Sequence, residues 1–163
     1  MSNIDNVNNV ANLSEEQVQN LIQSVPEAQK EQNYLEIGVR PWGVYYVLED
    51  KANYKVKKIV VNSGQRLSLQ SHLHRSEHWI CVSGNATVEI ESFDKLGTFE
   101  KGKSQIKLFN MPPNESCFIK ANAKHRLSNR GKIPVVLIEV QVGEYTGEDD
   151  IERFEDDYKR LEN

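Results

Sequence analysis

The chain has 163 residues, enough for one domain with a substantial apolar core. With 38% hydrophobic residues and a net charge of −4, it lacks the basic balance that nucleic acid or an anionic membrane attracts. No apolar run reaches membrane-span length and no charged-then-apolar leader marks export, so the expected compartment is the cytoplasm.

Residues 1–12 are Asn-rich and polar and are expected to be disordered. Ser14 is the expected N-cap of an amphipathic helix with Val18, Leu21, Ile22 and Val25 on its apolar face, ended by Pro26. Residues 1–38 are thus read as a disordered N-terminus plus one helix, and 39–163 as the main domain. From Gly43 to Gly143 the pattern is strands and turns. Strand-like runs cover 44–48, 57–61, 86–90, 106–109 and 135–140, punctuated by Gly97, Gly102, Asn114 and Gly131. Many short strands without a long internal helix predict an all-β antiparallel barrel. Asp149 or Asp150 is expected to begin a last helix, acidic in its first turns and carrying Lys159 and Arg160 near its end, as the helix dipole favours. Cys81 and Cys117 sit in strand-like segments and are expected to be buried free thiols, a disulfide being the lesser alternative. No internal repeat is present.

All four histidines fall in two short segments. His72, His74 and His78 crowd around Glu77, and His125 lies far downstream. Imidazoles and a carboxylate packed this densely look like half of a metal site, closed by the downstream histidine. A histidine-rich loop without a metal is the plain alternative. Residues i and i+2 of a strand share a face, so Gln70 and His72 point one way, with Arg66 and Ser68. A turn at His74-Arg75-Ser76 would reverse the chain and let Glu77 begin the next strand opposite His72. Gln oxygen, His nitrogen and carboxylate oxygen form a borderline-hard set suited to Zn, Mn, Fe, Co or Ni, with no choice among them. His74 has the parity to compete with Gln70 but falls in the expected turn. His78 should face outward. By the same parity Leu67, Leu69, Ile80 and Val82 face away from the cavity, and an outward apolar face needs a cover: a terminal helix or a second subunit.

The intervals resemble the two motifs of the cupin family, G-x5-H-x-H-x4-E-x6-G and G-x5-P-x-G-x2-H-x3-N. Gly64, Gln70, His72, Glu77 and Gly84 follow the first, with Gln70 in place of the first histidine. Asn114, Lys120, Asn122, His125 and Asn129 follow the second, with Asn114, Lys120 and Asn122 replacing Gly, Pro and Gly. Asn is the best non-Gly residue for a left-handed turn. A closer resemblance covers about residues 39–158. Its residues are 39–43 (Val-Arg-Pro-Trp-Gly), Arg66 to His72 and His74 to Trp79 (with Leu73 between them where family members often carry a histidine), Val82-Ser83-Gly84, Lys124 to Leu127 with Asn129, and 131–134 (Gly-Lys-Ile-Pro). Ile138 to Gln141, Gly147 to Ile151 and Arg153 to Tyr158 complete it. The chain resembles the type II phosphomannose isomerase domain, the cupin half at the C-terminus of bifunctional mannose-1-phosphate guanylyltransferase/mannose-6-phosphate isomerases.

That resemblance implies a jelly-roll barrel with short terminal helices, commonly dimeric. It also implies one divalent metal held by Gln70, His72, Glu77 and His125, and interconversion of mannose 6-phosphate and fructose 6-phosphate toward GDP-mannose and polysaccharide. Nothing before Arg40 matches a nucleotide-binding glycine loop, so guanylyltransferase activity is not expected of this chain. Glu139, a carboxylate among apolar strand residues, is either the proton-transferring base or a rim charge. Arg66 shares the parity of Gln70 and could stabilise enediolate charge, hold phosphate, or pair with Glu139. Lys124 and Arg126 flank His125, turn away from the metal by parity, and could hold the phosphate if a bulge aimed them at the rim. A non-catalytic sugar-binding or regulatory cupin and another metal-cupin sugar enzyme are the competing functions.

Overall fold

A computed structural model of the chain describes residues 34–93 and 104–160. The expected N-terminal helix and the turns at Gly97 and Gly102 lie outside the described residues. Eleven strands occur among them. They are β1 (Glu36–Arg40), β2 (Gly43–Lys51), β3 (Tyr54–Val61), β4 (Leu69–Ser71), β5 (Arg75–Ser83) and β6 (Ala86–Phe93), then β7 (Ser104–Met111), β8 (Ser116–Ile119), β9 (His125–Asn129), β10 (Val135–Gly143) and β11 (Glu152–Glu155). A six-stranded sheet runs β1-β2-β3-β10-β5-β8 and a five-stranded sheet β11-β4-β9-β6-β7, with every pairing antiparallel. The sheets are separate, so the expected barrel is an open two-sheet sandwich.

Strand alternation places the site. In β3, Lys55, Lys57, Ile59 and Val61 point inward. In β10 they are Val135, Leu137, Glu139 and Gln141, and in β5 Arg75, Glu77, Trp79 and Cys81. Antiparallel register sets Leu137 opposite Ile59 and Cys81, Glu139 opposite Lys57 and Trp79, and Gln141 opposite Lys55 and Glu77. The inner face is therefore apolar at one end and charged at the other. The apolar end packs with Val88 and Leu127 of the second sheet into the core, where each fully buried aliphatic contributes about 1.5–3 kcal/mol. Lysines, glutamates and arginine buried side by side at the other end are tolerated only as a paired network.

The motif turns keep their backbone role despite the changed letters. Gly64, Gly84, Asn114 and Asn122 have φ of 74°, 79°, 71° and 65°. Asn enters this left-handed region more readily than other residues with a Cβ, which explains how the second motif survives loss of its glycines.

The chain end corrects the expected last helix. Residues 149–160 form no helix; β11 pairs along the edge of β4, with Glu152 opposite Ser71 and Arg153 opposite Gln70. The Asp150 carbonyl, which a helix would use internally, accepts from His72 Nδ1 at 2.5 Å and Arg75 Nη1 at 3.2 Å. The Asp150 carboxylate accepts from the amides of Leu73 and His74 at 2.9 and 3.2 Å. Tertiary partners thus outbid local propensity.

Parity also fails before β4. Residues 64–68 form no strand: they meet β9 through an isolated bridge, Arg66 to Ser128, and single backbone bonds, so the alternation reaches back from Gln70 to Ser68 but not to Arg66. Leu67 lies in the core and lines the cavity, contrary to the outward expectation, while Leu69 is buried outside the core cluster. Ile80 and Val82 do face out, as does His78, whose ring stacks 4.7 Å from Phe118. Cys81 and Cys117 are free, Cys81 buried and Cys117 half-buried.

Candidate metal centre

Three elements deliver one cluster. His72 follows β4 at a bend, Glu77 points inward from β5, and His125 opens β9 opposite Gln70. The bend falls at Leu73–His74 and β5 begins at Arg75, ahead of the expected turn at 74–76. One ligand atom from each of His72, Glu77 and His125 lies within 4.8 Å of the others, and all three residues are buried. His72 Nε2 stands 3.1 Å from Glu77 Oε1, and His125 Nε2 stands 3.4 Å from Glu77 Oε2.

The tautomers follow from the partners. His72 Nδ1 faces the Asp150 carbonyl at 2.5 Å and His125 Nδ1 the Ala123 carbonyl at 2.9 Å. A carbonyl only accepts, so both Nδ1 atoms carry protons and both Nε2 lone pairs turn toward the carboxylate. His125 Nε2 is buried with no hydrogen-bond partner. Three acceptor atoms converging in a dry site call for a cation between them. Two imidazole nitrogens and a carboxylate oxygen, with ring orientation fixed from behind, fit a divalent transition ion.

Around the cluster lies a second carboxylate. Trp79 Nε1 donates to Glu77 Oε2 at 3.1 Å and Glu139 Oε2 at 3.0 Å, and Gln141 Nε2 donates to Glu139 Oε1 at 2.7 Å. Burial and then the negative Glu77 push the Glu139 carboxyl up to about 7, against the pull of Lys57, Arg75 and the Gln141 hydrogen bond. Glu139 is therefore a buried carboxylate and not a rim charge. Two cations that sequence reasoning missed complete the network. Arg75 Nε donates to Glu77 Oε1 at 3.2 Å, and its Nη2 lies 3.4 Å from His72 Nε2. Lys57 pairs with Glu148 and sits 4.7 Å from the Tyr45 ring centroid. Their signal was inward parity: Arg75 is two residues before Glu77, and Lys57 two before Ile59 in β3. A cavity of about 70 Å³ joins Gln70, Glu77, Glu139 and Gln141 to Arg40, Arg153 and Arg160.

The other expected residues have other surroundings. Gln70 lines this cavity, with Oε1 accepting from Ser68 Oγ at 2.8 Å. His74 is on the surface, 3.2 Å from Glu144 and edge-on to Tyr145. Replacing Gln70 with Ala is expected to weaken divalent-ion affinity about 10- to 100-fold, the scale of disturbing a metal's immediate surroundings. His74→Ala is expected to leave it nearly unchanged; isothermal titration with the ion reads both, and the reverse order would make the bend the ligand source. Arg66 does not enter the cavity but forks onto Asp157 at 2.7 Å at the surface, because the strand parity behind that expectation stops at β4. Lys124 lies 4.1 Å over the Phe154 ring. Arg126 faces away from the metal cluster, as parity requires, and forks onto Glu89 at 3.0 and 2.9 Å and onto Glu155 at 2.9 Å. Both side chains are thus engaged on the far side of β9.

The family model described as mannose-6-phosphate isomerase C-terminal matches residues 27–156. Alginate biosynthesis protein AlgA of Pseudomonas aeruginosa is 46% identical over 129 residues, 79% of this chain and 24% of that protein. Xanthan biosynthesis protein XanB of Xanthomonas campestris is 46% identical over 121 residues, 74% of this chain and 23% of that protein. Mannose-1-phosphate guanylyltransferase ManC of Salmonella typhimurium is 44% identical over 122 residues, 75% of this chain and 22% of that protein. The chain thus spans roughly a quarter of these relatives' length. Among solved structures, capsular polysaccharide assembling protein CapF of Staphylococcus aureus superposes with a TM-score of 0.58 at 17% identity, over 74% of this chain and 34% of that one. The Bacillus subtilis oxalate decarboxylase, described with Mn(II) centres, gives 0.55 at 19% identity, over 72% and 29%. Those two likenesses are of fold.

Proposed function

Since this chain belongs to the mannose-6-phosphate isomerase C-terminal family, we propose that it is a metal-dependent isomerase interconverting mannose 6-phosphate and fructose 6-phosphate, upstream of GDP-mannose and polysaccharide synthesis. The observation that carries the reading is the buried His72–Glu77–His125 cluster beside a second, separately held carboxylate, Glu139. The names of the alginate, xanthan and guanylyltransferase relatives support the pathway.

His72, Glu77 and His125, with Gln70 beside them, would hold one divalent ion. When bound, that ion polarises the carbonyl and adjacent hydroxyl of an open-chain sugar, acidifying the intervening C–H. The Mn(II) centres of the oxalate decarboxylase fold-relative support the choice of a divalent transition ion. Glu139 takes the proton from C2 of the aldose and returns it to C1, while the O2 hydroxyl proton passes to O1, so that C2 becomes the carbonyl of the ketose. Its base strength matches the task, since burial and Glu77 bring the carboxyl to about 7. Trp79 Nε1 and Gln141 Nε2 fix its orientation through one bond to each oxygen. Arg75, held by Glu77 and by the carbonyls of Gly147 and Asp150, keeps a positive charge beside the enediolate. No helix among the described residues is long and apolar enough to cross a membrane.

A coupled assay that follows fructose 6-phosphate formed from mannose 6-phosphate tests the reading. Activity should vanish on chelation and return on adding a divalent ion. A metal-loaded chain that binds the phosphosugar without turnover would leave a sugar-binding module in its place.

A further inference from the structure

Arg66, Lys124 and Arg126, the residues expected to hold the phosphate group, are all engaged elsewhere. A different set of cations meets at the cavity. We propose that Arg153, Arg40 and Arg160 form the subsite for the phosphate monoester of the substrate, with Arg153 as its centre; this rests on the isomerase reading above.

Arg153 has the surroundings of a residue waiting for an anion. Its Nε is buried with no hydrogen-bond partner, and among the described residues its side chain makes no hydrogen bond or ion pair. A buried N–H left unsatisfied is costly, so native structures retain one where something else completes it. Among the described residues Arg40 also has no carboxylate partner: its guanidinium donates to the Val39 carbonyl at 3.0 Å and the Tyr45 hydroxyl at 3.1 Å. Arg160 forks onto Asp156 at 2.9 and 2.6 Å, which orients it and leaves the group of three with an uncompensated positive charge. Burial, then Arg160, and more weakly Arg40 lower the pKa of Arg153, offset in part by Asp156 and Glu148. The three like charges therefore share one space at a cost that an anion would remove. The chain as a whole is acidic at −4, so this cluster is not a by-product of composition.

The spacing suits a sugar phosphate in particular. Register places Arg153 opposite Gln70 on β4, and Gln70 opposite His125 on β9. Arg153 and His125 are thus two strand spacings apart, about 10 Å across the sheet. An open-chain hexose 6-phosphate covers a comparable distance between its reacting carbons and its phosphorus. A phosphate dianion also matches the planar fork of Arg better than a carboxylate-poor pocket of lysines would.

Arg153→Gln is the test, because the side chain has no partner whose loss would unfold the protein. Inorganic phosphate binding, measured by isothermal titration, should weaken about 10- to 100-fold, the value of one or two charge-assisted bonds. KM for mannose 6-phosphate should rise by a similar factor, with metal content unchanged. Without phosphate the variant should melt no lower than wild type, and phosphate should raise the melting temperature of wild type only. Arg153→Lys should recover part of the binding. If wild type binds phosphate, the variant loses it and neither isomerises, the subsite stands and the isomerase reading falls. If wild type isomerises and the variant keeps both phosphate affinity and KM, the subsite is wrong. A wild-type chain that binds neither inorganic phosphate nor phosphosugar also overturns it.

Discussion

Replacing His125 with Ala is expected to remove stoichiometric metal from the purified chain and to reduce isomerase activity by at least the roughly 10²- to 10³-fold that loss of one electrostatic stabiliser costs. The reasoning begins with the orphaned Nε2. It is buried, unpartnered, and aimed with the His72 nitrogen at one carboxylate. The donors that remain, His72, Glu77 and the uncharged Gln70, lack the imidazole that closes the cluster. Loss should exceed the effect of Gln70→Ala, because the imidazole is held in its ligand tautomer by Ala123. Elemental analysis and the coupled assay read the two effects, and circular dichroism checks that the strands persist. A folded variant that still carries a full equivalent of ion would remove His125 from the site.

Glu139→Gln should separate chemistry from binding. The amide keeps the shape and can still accept from Trp79, so the metal should remain, while kcat falls about 10²- to 10⁴-fold for want of a base. Stability should move the other way. A carboxyl shifted from 4.5 to about 7 corresponds to roughly 3 kcal/mol against the buried anion. Its folded pKa lies above its unfolded one, so its favourable contribution is full below 4.5 and lost as pH rises through about 7. Gln carries no such dependence. The metal-free variant should therefore gain on metal-free wild type as pH rises across that window, by up to about 3 kcal/mol above it. Denaturant titrations across the window measure the difference; equal stability at all pH values would show that Glu139 is not held at the cost of the fold.

How much of this was legible in the residues depends on how local each cause is. The meeting of His72, Glu77 and His125 was legible because its spacing reflects strand parity and two reversals: Glu77 points inward from β5, and His125 opens β9 opposite Gln70. Asn114 and Asn122 were legible as glycine substitutes because left-handed preference is intrinsic to the residue. The last helix was misread because its acidic start is a genuine local signal, overruled by β4 offering a free edge and by His72 and Arg75 taking the Asp150 carbonyl. Arg66 was misplaced because alternation was extended past the end of a three-residue strand. Arg75 was missed because the bend comes earlier than expected, which makes it an inward strand residue. Arg153 could not be found from the sequence at all, since its site role depends on β11 adding beside β4, which sets Arg153 opposite Gln70 far back in the chain.

Proton exchange in heavy water tests the central claim most directly, because it reports carbon-bound proton transfer whether or not net conversion accumulates. Metal-loaded wild-type chain incubated with mannose 6-phosphate in deuterium oxide is expected to place deuterium at C2 of the aldose and C1 of the ketose, and Glu139→Gln should suppress it. Full metal occupancy with no deuterium in either sugar would contradict the account.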